Sequence, residues 1–168
     1  MCSITGSFIL NKAFTIANES KFRGKETHSI YGITNNGKIK KQYKTNNHEL
    51  DEISILRYHD GAVEPLYNII HQQSITINPK NNNLLEQIHP AEFNGSYLWH
   101  NGIIRPRYID VMKKELLDVS NWDTKLLCKM LNKKGFDCLS NIDGSFACIY
   151  IKNDIVYIYL GHHLLHYI

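Results

Sequence analysis

The chain has 168 residues, 43% of them hydrophobic and 21% charged, with a formal net charge of +3. That length and balance suit one soluble globular domain with its own core. Lys and Arg are dispersed, gathering only at Lys38, Lys40 and Lys41 and at Lys113 and Lys114, which excludes the basic stripe of a nucleic-acid binder; no apolar run has the length of a membrane span, and the first ten residues lack the basic start of a signal peptide.

Residues 2–9 (CSITGSFI) read as a strand, with β-branched and aromatic residues around one Gly. A helix is expected from about Ala13 to Phe22, burying Phe14 and Ala17. Arg23 to Ile33 (RGKETHSIYGI) looks like a turn entering a second strand. Asn35-Asn36-Gly37 then signals a hairpin between two short strands. Residues 45–72 are hard to read; a short helix near Leu50–Arg57 is expected, and Asp60-Gly61 and Pro65 interrupt the chain beyond it. SITIN (74–78) alternates like a strand, and 79–90 reads as a polar loop with Pro at both ends. SYLWHNGII (96–104) reads as a strand followed by a turn. Pro106 fits the first turn of a helix that places Ile109, Met112 and Leu116 on one face. A second helix begins near Trp122 with Asn121 as cap. Its apolar stripe is Trp122, Leu126, Leu127, Met130 and Leu131, and Gly135 ends it. Ser145–Ile151 and Ile155–Leu160 are apolar on both faces and read as fully buried strands joined by a tight turn at Asn153-Asp154. Strand, helix, strands, two helices and paired strands together make an α+β protein. No repeat or linker divides it.

The four cysteines, Cys2, Cys128, Cys138 and Cys148, are widely and irregularly spaced. Without a C-x-x-C pair or a disulfide framework they are expected to be thiols in a reducing, cytoplasmic setting. Cys2 is the one with a chemical opportunity. Removal of Met1, which aminopeptidases perform when the next residue is small, leaves a thiol and a free α-amine on one residue. An α-amine of pKa ~8 can serve as base to a thiol of pKa ~8.5, so nucleophile and base come together. The plainer reading is a small core residue at a strand start.

Two further constellations fit such a nucleophile. In Trp99-His100-Asn101-Gly102, the Asn101 side-chain amide and the Gly102 N–H are donors that can converge on one oxyanion, and Gly102 lets backbone approach closely. The plainer reading is an Asn-Gly turn. Asp123 opens the second helix, either as an acid favoured by the helix dipole or as a carboxylate that binds an amino-acid ammonium. His162, His163 and His166 form an H-H-x-x-H group. Their stretch reads as a strand-end loop without an acidic partner, so packing or surface histidines are expected and no metal site is assigned.

These residues fall in the order of a known family. MCSITG, RGKETHSIYGI, IHPAEF with LWHNGII, WDTKLL and GFDCLSNIDGSFACIYI together resemble the class II glutamine amidotransferases of the N-terminal-nucleophile hydrolase superfamily. Positions retained from the family pattern include Arg23, Gly24, Gly32, His89, Pro90, His100, Asn101, Gly102, Asp123, Gly135, Leu139, Gly144, Phe146 and Ala147. The resemblance covers nearly the whole chain, implying one domain over residues 2–168. It implies a four-layer αββα sandwich of two facing, mainly antiparallel sheets flanked by helices. It also implies Cys2 as nucleophile, Asn101 and Gly102 as oxyanion hole, and Asp123 as the group that binds the α-amine of glutamine. Glutamate and ammonia would form through a γ-glutamyl thioester, with no metal or organic cofactor.

The chain departs from the family pattern in three places. Glu26 stands where Asp is usual. Where relatives carry V-R-x-P-T, whose Arg pairs with the glutamine carboxylate, this chain has TINPK (76–80), so that Lys80, Arg57 or Arg105 would have to take that part. It ends in LGHHLLHYI where relatives show an R-D-x-x-x-P-L-Y-like segment. These departures leave two alternatives: a catalytically degenerate binding or regulatory module, and an amidase for an amide other than glutamine. Relatives usually carry a synthetase domain, so a separate ATP-dependent synthetase is the expected partner, with no nucleic acid and no membrane.

Overall fold

Two antiparallel sheets organise the chain, one in each of the units Met1–His89 and Pro90–Ile168. The computed structural model describes residues 2–34, 38–45, 65–74, 87–161 and 163–167.

In the first unit, β1 (Ser3–Ser7), β2 (Thr27–Ile33), β3 (Ile39–Thr45) and β4 (Tyr67–Gln73) lie in the order β1-β4-β2-β3. The hairpin expected around Asn35-Asn36-Gly37 is present as the β2–β3 pair, although those three residues fall outside the described ones. Helix α1 spans Leu10–Glu19, three residues earlier than the sequence suggests, and a 3-10 turn over Lys21–Arg23 comes after it. The reason is the apolar stripe. Leu10, Ala13, Phe14 and Ala17 fall at i, i+3, i+4 and i+7 and pack on Ile30 and Ile70, whereas Phe22 is 72% exposed and anchors nothing.

Strand β4 has no clear signal in the sequence. Its residues, YNIIHQQ, are polar at four of seven positions, yet Asn68, His71, Gln72 and Gln73 are all buried. Buried polar groups need partners, and two of these have them in neighbouring strands: Ser3 Oγ donates to Gln72 Oε1 at 3.0 Å, and Thr27 Oγ1 to Gln73 Oε1 at 3.1 Å. The helix expected near Leu50–Arg57, most of the strand expected over SITIN and most of the 79–90 loop lie outside the described residues.

In the second unit the order is β5-β6-β7-β8-β9. The strands are β5 (Ala91–Phe93), β6 (Ser96–Ile104), β7 (Gly144–Lys152), β8 (Ile155–Leu160) and β9 (His163–Tyr167). The Asn101-Gly102 turn is not there: both residues sit inside β6, which pairs with β7 from Tyr97↔Ile151 to Ile104↔Gly144. The turn falls earlier, at Asn94-Gly95, both with positive φ, between β5 and β6. The Asn153-Asp154 turn is as expected, with φ of 51° and 65°. However, β8 is not fully buried, since Ile155 and Leu160 are exposed and only Tyr159 is buried. β-Branched and aromatic residues satisfy strand preference as well as burial, so such a run does not by itself imply a buried strand. The tail expected as a loop is the strand β9, paired with β8.

Helix α2 (Pro106–Leu116) begins at its proline and ends as Leu117 turns left-handed. Helix α3 spans Asp123–Lys134, with Trp122 rather than Asn121 in the capping position. Asn121 is occupied elsewhere, accepting from Lys113 Nζ at 2.5 Å, while Ser120 Oγ accepts the Trp122 N–H. Met112 of α2 and Leu126, Leu127 and Leu131 of α3 build a core with Leu98, Ile104, Phe146 and Tyr150 of the sheet. Burying each such side chain stabilises by ~1.5–3 kcal/mol. The α+β class and the antiparallel sheets agree with the sequence reading. No helix among the described residues is long and apolar enough to cross a membrane.

Candidate active site

Cys2 sits at the start of β1, on the edge of the first sheet. The β1–β4 register begins at Ser3↔Gln72, one residue after Cys2, and Gln73, the next residue on β4, lies opposite Thr27. Strand alternation puts Gln73 and Thr27 on the face away from α1, since Ile30 and Ile70, which α1 covers, have the other parity. Cys2 is half-buried, and its Sγ contacts the Ser74 carbonyl at 3.8 Å. Gln73 Oε1 also lies 3.3 Å from His89 Nδ1, and the His89 ring stacks on that of His71 with centroids 4.0 Å apart.

Arg23 is the neighbour that sequence reasoning does not place in the site. Its Nε donates to the Cys2 carbonyl at 3.3 Å. The adjacent Gly24 explains how. A Cβ there would come within 2.6 Å of the Gln72 carbonyl carbon and oxygen, so only glycine lets the segment lie against β4 while Arg23 reaches the chain end. The retained Arg23-Gly24 pair is the signal in the sequence, but it does not name its target.

The other three cysteines are poor nucleophiles. Cys128, Cys138 and Cys148 are buried, and burial pushes their thiols up to about 11, about 11 and about 12 respectively.

In the second unit, Asn101 and Gly102 are consecutive on β6. Gly102 has φ +151°, and a Cβ would collide with the Ser145 carbonyl oxygen and with Phe146 across the β6–β7 ladder. The position therefore demands glycine. Asn101 faces away from the α2–α3 core, whereas His100 points into it, meeting the Phe146 ring edge-on at 5.7 Å. His100 also reaches the start of α3: its Nδ1 is 3.2 Å from Thr124 Oγ1 and 3.9 Å from Asp123 Oδ2. Asp123 Oδ1 accepts from the Thr124 N–H at 2.7 Å and from its hydroxyl at 3.3 Å. Burial pulls the His100 pKa below its ordinary value, and the nearby Asp123 carboxylate opposes that shift. Of the residues picked out from sequence, Asn101 and Gly102 are thus adjacent, Asp123 is tied to the same strand through His100, and Cys2 belongs to the first unit.

Among the cations considered from sequence, Arg105 is 63% exposed and pairs with Asp143 at 3.0 Å; Lys80 and Arg57 lie outside the described residues. The same holds for His162, while His163 and His166 lie on the strand β9. Among the described residues no group of three or more His, Cys, Asp or Glu is arranged to hold a metal ion.

The fold is of the N-terminal-nucleophile type and matches that of a class II glutamine amidotransferase, as the sequence resemblance implied. One structure that carries the likeness is glutamine phosphoribosylpyrophosphate (PRPP) amidotransferase from B. subtilis, solved with ADP and GMP. It matches with a TM-score of 0.62 at 17% identity, covering 95% of this chain and 36% of that one. A second, described as the allosteric regulatory enzyme of purine biosynthesis, matches with a TM-score of 0.65 at 16% identity, covering 95% of this chain and 37% of that one. The chain thus spans well under half the length of either. No protein-family model and no curated protein matches it.

Proposed function

We propose that this chain is a glutaminase that hydrolyses glutamine to glutamate and ammonia, with Cys2 as nucleophile once Met1 is removed. The observation that carries this reading is the standing of Cys2 among the cysteines. It alone among the four is accessible rather than buried, and it opens the first strand of a fold shared with a glutamine amidotransferase.

In this reading the Cys2 α-amine takes the thiol proton and the thiolate attacks the side-chain amide carbon. The developing oxyanion is held by the Asn101 amide and the Gly102 N–H. The Cys2 α-ammonium returns its proton to the amide nitrogen, so that collapse of the tetrahedral intermediate expels ammonia and leaves a γ-glutamyl thioester, which water hydrolyses to glutamate. Asp123, at the first turn of α3, holds the substrate's α-ammonium. The ammonia is consumed by a separate ATP-dependent synthetase; glutamine-dependent amination by the purified chain alone would overturn that part.

The test is a glutaminase assay on protein whose Met1 removal is verified by mass spectrometry. Turnover that Cys2→Ala abolishes supports the reading. Retained Met1, or no turnover with or without candidate partners, removes it in favour of a non-catalytic binding module. Turnover of simple amides in preference to glutamine would instead mark an amidase of different specificity.

A further inference from the structure

We infer that His100 and Thr124 are positioning residues that aim the carboxylate of Asp123 at an ammonium-bearing substrate; this rests on the glutaminase reading above. Three contacts order the protons along the chain. A carboxylate can only accept, so the Thr124 hydroxyl, 3.3 Å from Asp123 Oδ1, spends its single proton there. The same hydroxyl oxygen lies 3.2 Å from His100 Nδ1 and has only lone pairs left to offer. With the Thr124 proton on Asp123, His100 carries its own on Nδ1, giving the sequence Nδ1–H to Oγ1–H to Oδ1, whose members polarise one another.

The consequence lies in what is left over. Oδ1 of Asp123 is occupied by two donors from Thr124. Oδ2 lies 3.9 Å from His100, beyond hydrogen-bond range, on a side chain that keeps 23% of its surface exposed. One oxygen is anchored, and the other is presented. His100 is 3% exposed and Thr124 1% exposed, so the relay is held in a packed core rather than in a mobile surface. A neutral imidazole also leaves the negative charge of Asp123 undiminished, whereas an imidazolium at this distance would compete with the substrate's ammonium.

The test compares glutamine with its analogue lacking the α-amine, glutaramate, in the wild type, Thr124→Val and Thr124→Ser. Thr124→Val keeps the shape and removes the hydroxyl. It is expected to raise KM for glutamine about tenfold, with kcat little changed and glutaramate kinetics unaffected, while Thr124→Ser restores the wild-type preference. Nitrogen-15 NMR of the wild-type imidazole, which needs no variant to fold, is expected to show the Nδ1–H tautomer. An Nε2–H tautomer, or a Thr124→Val defect equal for both substrates, overturns the inference. Failure of the underlying reading looks different: the wild type then turns over neither amide, and the inference falls with it.

Discussion

Arg23 Nε donates to the carbonyl oxygen of Cys2 at 3.3 Å, tying the residue proposed as nucleophile to the end of the α1 segment. A charge-assisted bond of this kind fixes where the chain end points. Arg23→Ala is expected to lower kcat/KM for glutamine hydrolysis by about tenfold to a hundredfold, with Arg23→Lys intermediate because a flexible ammonium reproduces the contact less well. Steady-state kinetics check this; an Ala variant as active as the wild type would show that the contact is incidental.

Thiol accessibility gives a second expectation. Cys2 is half-buried, while Cys128, Cys138 and Cys148 are buried with thiols pushed up to about 11, about 11 and about 12. Iodoacetamide near neutral pH is expected to label Cys2 first in the folded protein, and the remaining three only after unfolding. Peptide mapping by mass spectrometry reads the order directly, and native labelling of Cys148 ahead of Cys2 would contradict it.

Gly102→Ala forces a side chain into a backbone with φ +151° and against the Ser145 carbonyl. The expected cost is at least ~2 kcal/mol of stability, from backbone strain and displacement of β7 together. A shift of the urea midpoint to lower concentration, with glutaminase turnover lost, is the outcome to look for.

His100 makes stability depend on pH in a predictable direction. The groups facing it are Asp123 and Thr124 from α3, and Phe146 and the neutral thiol of Cys148 from β7. Burial holds its folded pKa below the ordinary 6.5. Between the two values the unfolded state binds the proton and the folded state does not. The contribution is therefore fully present above 6.5 and is lost as pH falls below it toward the folded pKa. Urea unfolding across that interval is expected to show a shallower pH slope for His100→Gln than for the wild type. Identical slopes would mean that His100 titrates alike in both states.

Much of the local structure could be read directly. Pro106 starts α2, Gly135 stops α3, and Asn153-Asp154 turns β7 into β8, because each acts through the φ/ψ preferences of one or two residues. Cys2, Asn101, Gly102 and Asp123 are candidates on residue chemistry and motif order. What only the tertiary structure decided involves partners far apart in the chain. The polar strand β4 is buried because Ser3 and Thr27 answer its glutamines from other strands. Arg23 meets Cys2 across 21 positions, and His100 meets Thr124 across 24. Sequence periodicity reports which face of an element is apolar. It does not report which distant donor will satisfy a buried acceptor, because the cost of leaving that acceptor unpaired is felt only once the chain has folded around it.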